Sequence, residues 1–217
     1  METYVLRLWL PDRPGALGAV ASRIGAVKGD VVGIEILETG QGQAVDELVV
    51  QLPDSTLVDL LIGEVRQVDG VEVEEVRRLG SARYDRLSDT LETAAALVAA
   101  TDRGGVLATV RDQVGEAVAA SWVAVVDRQA ATTLVAGEGA PSAAWLAAFG
   151  HGAESAGELS GRPVDEGDVV WTPVDGTDLA LVAGRDRLAW RSQERRQLVA
   201  LARILGVRWN ELADAPR

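Results

Sequence analysis

Along the first 79 residues the apolar positions change period in a fixed order, and that order leaves few folds open. Tyr4, Leu6, Leu8 and Leu10 recur at every second residue, alternating with Val5, Arg7 and Trp9. That is the period of a half-buried strand. Pro11, Asp12, Arg13, Pro14 and Gly15 break it. Leu17, Val20, Ala21, Ile24 and Val27 then follow at helical spacing, and Gly29 closes the helix. Val32, Ile34 and Ile36 make one face of a second strand, and Gly40 and Gly42 a turn. Leu48, Val50 and Leu52 make a third strand ended by Pro53. Asp54 or Ser55 caps a helix with the apolar face Leu57, Leu60, Leu61, Val65 and Val68. Val71 and Val73 alternate with acids in a last strand, whose phase slips near Val76 as at a bulge or a frayed end.

The order βαββαβ packs economically in one way, with both helices on one face of a four-stranded antiparallel sheet. This is the ferredoxin-like arrangement, an α+β class. The other sheet face carries Val5, Trp9, Glu35, Leu37, Glu47 and Val49, a mixture that suits either solvent or cover by a second domain.

Residues 80–85 read as a linker between a first domain, 1–79, and a second, 86–217. Leu87, Leu91, Ala94, Ala95 and Val98 fit one helix, and Val106, Val110, Val114 and Val118 a second. The unbroken apolar run from Trp122 to Val126 predicts a buried strand that pairs with Thr132–Ala136. A helix carries Trp145, Leu146 and Phe149, and a loop rich in glycine and acid runs from Gly150 to Gly167. Val169–Val174 and Leu179–Ala183 form a hairpin, and Leu198, Leu201, Ala202 and Leu205 a closing helix. The expected order is ααββαββα, an antiparallel sheet flanked by helices.

Composition narrows function by exclusion. The 217 residues contain no cysteine, which removes disulfides, thiolate metal sites and cysteine nucleophiles, and one histidine, His151. The net charge is −12, and no basic cluster offsets it, so nucleic acid and anionic membrane are disfavoured partners. Lys28 is the one lysine among 21 basic residues, a composition like that of a high-GC bacterial genome. The longest uncharged stretch, Gly139–Ala153, is shorter than the roughly 20 residues of a membrane span. The chain enters directly on a charged alternating segment, so a cytoplasmic protein is expected.

The segment Asp12-Arg13-Pro14-Gly15-Ala16-Leu17 joins a strand to a helix. A helix N-terminus offers unpaired amides and about half a positive charge. Pro14 in the first turn has no amide to lose, and Gly15 lets a ligand approach the backbone. The amides of Gly15, Ala16 and Leu17 can then hold an α-carboxylate. Asp12 takes an α-ammonium or caps the helix. Read blandly, the same residues are a structural turn.

With the βαββαβ order, this loop resembles that of ACT domains, small regulatory modules that bind amino acids; the resemblance covers residues 3–79. It implies a homodimer with an amino acid or similar small molecule between subunits, closed by the start of the second strand of the partner, here Val31 and Val32. Valine at that place implies an apolar ligand. Residues 85–206 are similar in element order to GAF domains, small-molecule sensors and dimerisation modules. That resemblance places Trp145, Trp171 and Trp190 around a ligand cavity, of which Trp145 and Trp171 are the pocket candidates.

No other motif carries chemistry. Gly137-Glu138-Gly139 lacks the third glycine of a dinucleotide loop, and Ser142 stands there instead. His151 near Glu154, Asp165 and Glu166 is the one spot suggesting acid–base work. Asp165, Glu166 and Asp168 are too poorly alternated for a cation loop. The expectation is a regulatory protein that is not an enzyme and needs no metal or cofactor. The alternative is an interaction module that binds a protein partner and no small ligand.

Overall fold

The computed structural model describes residues 1–79, 85–160, 165–166, 169–186 and 188–214, without the side chains of 154–160, 165–166 and 214. The chain divides into two units, Met1–Tyr84 and Asp85–Arg217. The linker expected at 80–85 lies outside the described residues except for Asp85, whose carboxylate accepts the Ser88 amide at 3.0 Å.

In the first unit the alternating run becomes β1 (Glu2–Pro11) and the helical run α1 (Ala16–Ala26). There follow β2 (Asp30–Gly40), β3 (Gln43–Leu52), α2 (Val58–Val65) and β4 (Glu72–Leu79). The sheet is antiparallel with order β2-β3-β1-β4, the ferredoxin-like arrangement. Tyr4, Leu6, Leu8 and Leu10 pack with Leu48, Val50 and Leu52 against Val20 and Ile24 of α1 and Leu61 and Val65 of α2. Of the two cap candidates, Asp54 caps the 3-10 turn Ser55–Leu57 that leads into α2, its carboxylate accepting the Thr56 amide at 2.8 Å, while α2 itself has no side-chain cap. The bulge expected near Val76 sits at Glu74, because Arg7 pairs with Glu75 and Leu8 with Val73.

Two apolar faces differ from expectation. Val32, Ile34 and Ile36 are each about half exposed (50%, 51% and 52%), on a strand at the edge of the sheet. Leu60 of α2 is exposed as well, and only Leu61 and Val65 of that helix are buried.

The second unit contains α3 (Arg86–Ala99), α4 (Arg103–Thr109), α5 (Gly115–Ala117), β5 (Trp122–Asp127) and β6 (Thr132–Ala136). It continues with α6 (Ala143–Ser160), β7 (Asp165–Glu166), β8 (Val169–Pro173), β9 (Leu179–Gly184) and α7 (Ser192–Asp214). Its five strands are antiparallel in the order β6-β5-β9-β8-β7. One more short strand is present than the sequence suggested. The loop expected from Gly150 is helix as far as Ser160, since α6 continues through its glycines.

Both faces of this sheet are covered. Val123, Val125, Leu179, Leu181 and Ala183 face a core shared with α3, α4 and α7. Trp122, Ala124, Val126, Ala180 and Val182 face the other way, toward Leu146 and Ala153 of α6. This is why β5 reads as an unbroken apolar run. Val106, Val110, Val114 and Val118 are all fully buried. A spacing of four overshoots the α-helical turn, and a wider π turn at Val110–Val114 brings the valines back into line.

On α3 the expected inner face is turned outward. Leu87, Leu91 and Val98 are exposed, while Arg86, Thr93 and Leu97 are buried. Arg86 is drawn inward by the Glu194 carboxylate, 2.9 Å away.

Gly184 of β9 stands opposite Trp122 of β5, and a Cβ there would lie 2.1 Å from the indole. Gly184→Val is therefore expected to lower stability by about 1–3 kcal/mol through overpacking. Thermal melting of the variant checks this, and an unchanged midpoint would show that the indole has room to move.

Candidate functional site

The loop before α1 is built on a type II turn. Arg13 carbonyl accepts the Ala16 amide at 3.2 Å, and Gly15 sits at φ +90°, ψ −14°. That conformation at the third turn position favours glycine, with proline favoured just before it, which accounts for Pro14-Gly15. Gly15 is thus the N-cap of α1, and Pro14 lies one residue outside it rather than in the first turn. The Ala16 amide, expected to face a ligand, is spent on the turn. The Ala19 amide bonds to the Gly15 carbonyl at 3.0 Å and begins the helical ladder. Among the described residues the amides of Gly15, Leu17 and Gly18 have no acceptor. These three donors stand at the positive end of the dipole of an 11-residue helix.

Asp12 does not cap α1, which has no side-chain cap. It is exposed, and its amide bonds to the Gly42 carbonyl at 2.9 Å. Arg13 and Pro14 are exposed too, Leu17 is half-buried and Ala16 is buried in the core.

Val31 and Val32 are not beside this loop. Val31 pairs with Val50 of β3, whereas the strand end leading into α1 is the Leu10–Ala44 pair. Ala44 and Val50 are six residues apart on one strand, so about 20 Å separates the two halves of the expected site. Val32 is the extra residue of a bulge between Val31 and Gly33 and is half exposed.

The structure adds Asp46 of β3, which sequence reasoning missed. It stands opposite Leu8 of β1 and Ile36 of β2, in phase with Leu48, Val50 and Leu52, and so on the sheet face that carries the helices. It is 3% exposed, and its Oδ1 has no hydrogen-bond partner. Burial pushes this carboxyl above its ordinary range, and the negative charge of Asp12 adds to the effect. The native state therefore holds the Asp46 proton more readily than the unfolded chain does. This group's contribution to stability falls as pH rises from the ordinary carboxylate value through the raised one. The available signal was an acid on the inward phase of a strand.

In the second unit a cavity of about 200 Å³ is lined by Val126, Asp127, Arg128, Ala131, Ala147, Gly150, His151 and Trp171. Trp171 is buried, and its indole N–H has no partner. Gly150 lets the ring lie close, since a Cβ there would be 2.1 Å from it. Trp145 does not line this cavity. It is 42% exposed and stacks on Phe149 at 5.0 Å between centroids.

Two polar liners already serve the fold. Asp127 accepts the Ala130 amide at 2.8 Å, and Arg128 Nη2 donates to the Thr177 carbonyl at 3.0 Å. His151 is exposed on α6. The Glu154, Asp165 and Glu166 side chains and all of Asp168 lie outside the described set. Among the described residues no group of three or more potential metal ligands comes together. Nor, among them, is any helix long and apolar enough to cross a membrane.

No protein-family model and no curated protein matches the chain. Three solved structures illustrate what it is similar to. The ACT domain of GTP pyrophosphokinase from Chlorobium tepidum is 19% identical over 36% of this chain and 100% of its own, with a TM-score of 0.30. An ACT domain protein from Streptococcus pneumoniae is 15% identical over 38% of this chain and 98% of its own, with a TM-score of 0.31. Myxococcus xanthus MglB is 14% identical over 63% of this chain and 99% of its own, with a TM-score of 0.39. At these scores the likenesses assign no family, and the fold stands on strand order and register alone.

Proposed function

We propose that this is a cytoplasmic regulatory protein with no catalysis of its own, whose ACT-like first unit binds an amino acid between two copies of the chain. The observation that carries the reading is the trio of Gly15, Leu17 and Gly18 amides left without acceptors at the start of α1. They suit the α-carboxylate of the ligand.

A second copy completes the site. Strand β2 is a sheet edge with Val32, Ile34 and Ile36 exposed, a surface that invites pairing. Two β2 edges joined antiparallel about a two-fold axis bring Val31 of the partner subunit toward the start of α1. That closes the gap of about 20 Å within one chain. The ligand then favours the paired arrangement by linkage. The second unit is read as a GAF-like sensor or output domain. Its cavity of about 200 Å³ admits only a small ligand, since metabolite pockets usually run to roughly 300–1,000 Å³. The outward stripe of Leu87, Leu91 and Val98 on α3 favours a second reading, an interaction module for a protein partner.

Thermal melting in the presence of each common amino acid at millimolar concentration separates the two. Saturation at about a hundred times Kd adds about 2.7 kcal/mol, and an apolar amino acid is expected to raise the midpoint by several degrees. No shift with any amino acid favours the interaction module. Gly15→Val should abolish the shift. Its unliganded midpoint should also drop, because valine at φ +90° costs about 1–3 kcal/mol.

A further inference from the structure

We infer that Asp46 is the counter-charge for the ligand's ammonium group, so that the site selects zwitterionic amino acids over plain carboxylates. The inference rests on the reading of α1 as the carboxylate-binding end. A carboxylate buried without a partner is costly, and a chain without a use for one gains by an apolar residue there. Among the described residues no cation pairs with Asp46, and the charge that bears on it is another acid, Asp12. Two carboxylates near the first turn of α1 call for a positive group from outside the chain.

The placement fits. Asp46 lies two residues along β3 from Ala44, the partner of Leu10 at the end of β1 that leads into α1. Its other strand neighbour, Ile36, is 52% exposed on the open edge where a second copy would approach. Free amides at the start of α1, and a carboxylate with an unsatisfied oxygen on the sheet face that carries the helices, are the donors and the acceptor for one molecule in this inference. An α-amino acid carries the complementary pair of charges. A carboxylic acid without the amine satisfies only the amides and leaves Asp46 as it stands.

The test is calorimetric titration of the full chain with L-leucine, L-isoleucine, L-valine, L-methionine and L-phenylalanine, each beside the same acid lacking its amine. For L-leucine the control is 4-methylpentanoate. The wild type should bind one of the amino acids at least tenfold more tightly than its control. Asp46→Asn should weaken that amino acid tenfold or more and remove the discrimination. Its unliganded melting midpoint at neutral pH should rise, because a neutral amide replaces a buried charge.

Asp46→Asn that binds and discriminates like the wild type, while Gly15→Val loses binding, overturns the role of Asp46 and leaves the site standing. No binding by the wild type overturns both. A lowered midpoint in unliganded Asp46→Asn also counts against the inference, since it would show the carboxylate to be satisfied within the fold.

Discussion

Glu194→Ala is expected to destabilise the second unit by about 3–5 kcal/mol, the usual cost of breaking a buried ion pair by deleting one partner. Glu194 is fully buried in the first turn of α7. Its Oε1 accepts from Arg86 Nη1 at 2.9 Å, and its Oε2 accepts from Arg185 Nη1 at 2.7 Å and from the Arg191 amide at 2.9 Å. Arg185 also donates to the Val118 carbonyl at 2.6 Å and lies 3.7 Å from the centroid of the Trp190 ring. One carboxylate thus ties α3 and the residue after β9 to α7. Its removal takes away the carboxylate that two buried guanidinium groups share.

Urea unfolding followed by tryptophan fluorescence reads this unit well, because five of the six tryptophans lie in it. With a slope of about 1–3 kcal/mol per molar, the midpoint should fall by 1 M or more, and a fall below about 0.3 M would refute the assignment. The triple variant Arg86→Met, Arg185→Met, Glu194→Leu should lie far closer to the wild type than Glu194→Ala does. Replacing all the charges together strands none of them.

The second large effect is expected in the first unit. Arg7 of β1 and Glu47 of β3 are directly paired, and Arg7 donates to Glu47 Oε1 from Nε at 2.9 Å and from Nη2 at 2.7 Å. Their side chains are 1% and 0% exposed. Glu47→Ala leaves the guanidinium buried and should also cost about 3–5 kcal/mol. Hydrogen–deuterium exchange of peptides covering β1 and β3 locates the damage, and protection equal to that of the wild type would sink the prediction. Glu47→Gln should be milder, because an amide oxygen can still accept from Arg7.

These two clusters show where sequence reading stops. The periods of β1, α1 and β3 were legible because one face of each meets the core, and the βαββαβ order follows from them. Arg7 and Glu47 read as ordinary polar residues of a second face. Their partnership depends on the register that sets residue 7 against residue 47, which no local pattern encodes. On α3 the i, i+4 spacing of Leu87 and Leu91 mimics a core face, but the helix is turned by Arg86, whose partner lies 108 residues away. On α6, Gly150 read as a loop residue because glycine weakens a helix. Its role is to leave space for the Trp171 ring. The proposed ligand site was half legible. Pro14 and Gly15 marked the turn, while Asp46 required knowing which face of β3 is inward.

The Trp122–Gly184 contact has a consequence for how the second sheet assembles. Strands β5 and β9 are apolar on both faces, so polarity alone would not punish a shift of one residue between them. The ring above a missing side chain does. Sliding β9 by one position sets Ala183 or the bulky Arg185 where only a hydrogen atom fits, so a notch one methyl group deep selects the correct alignment from its neighbours.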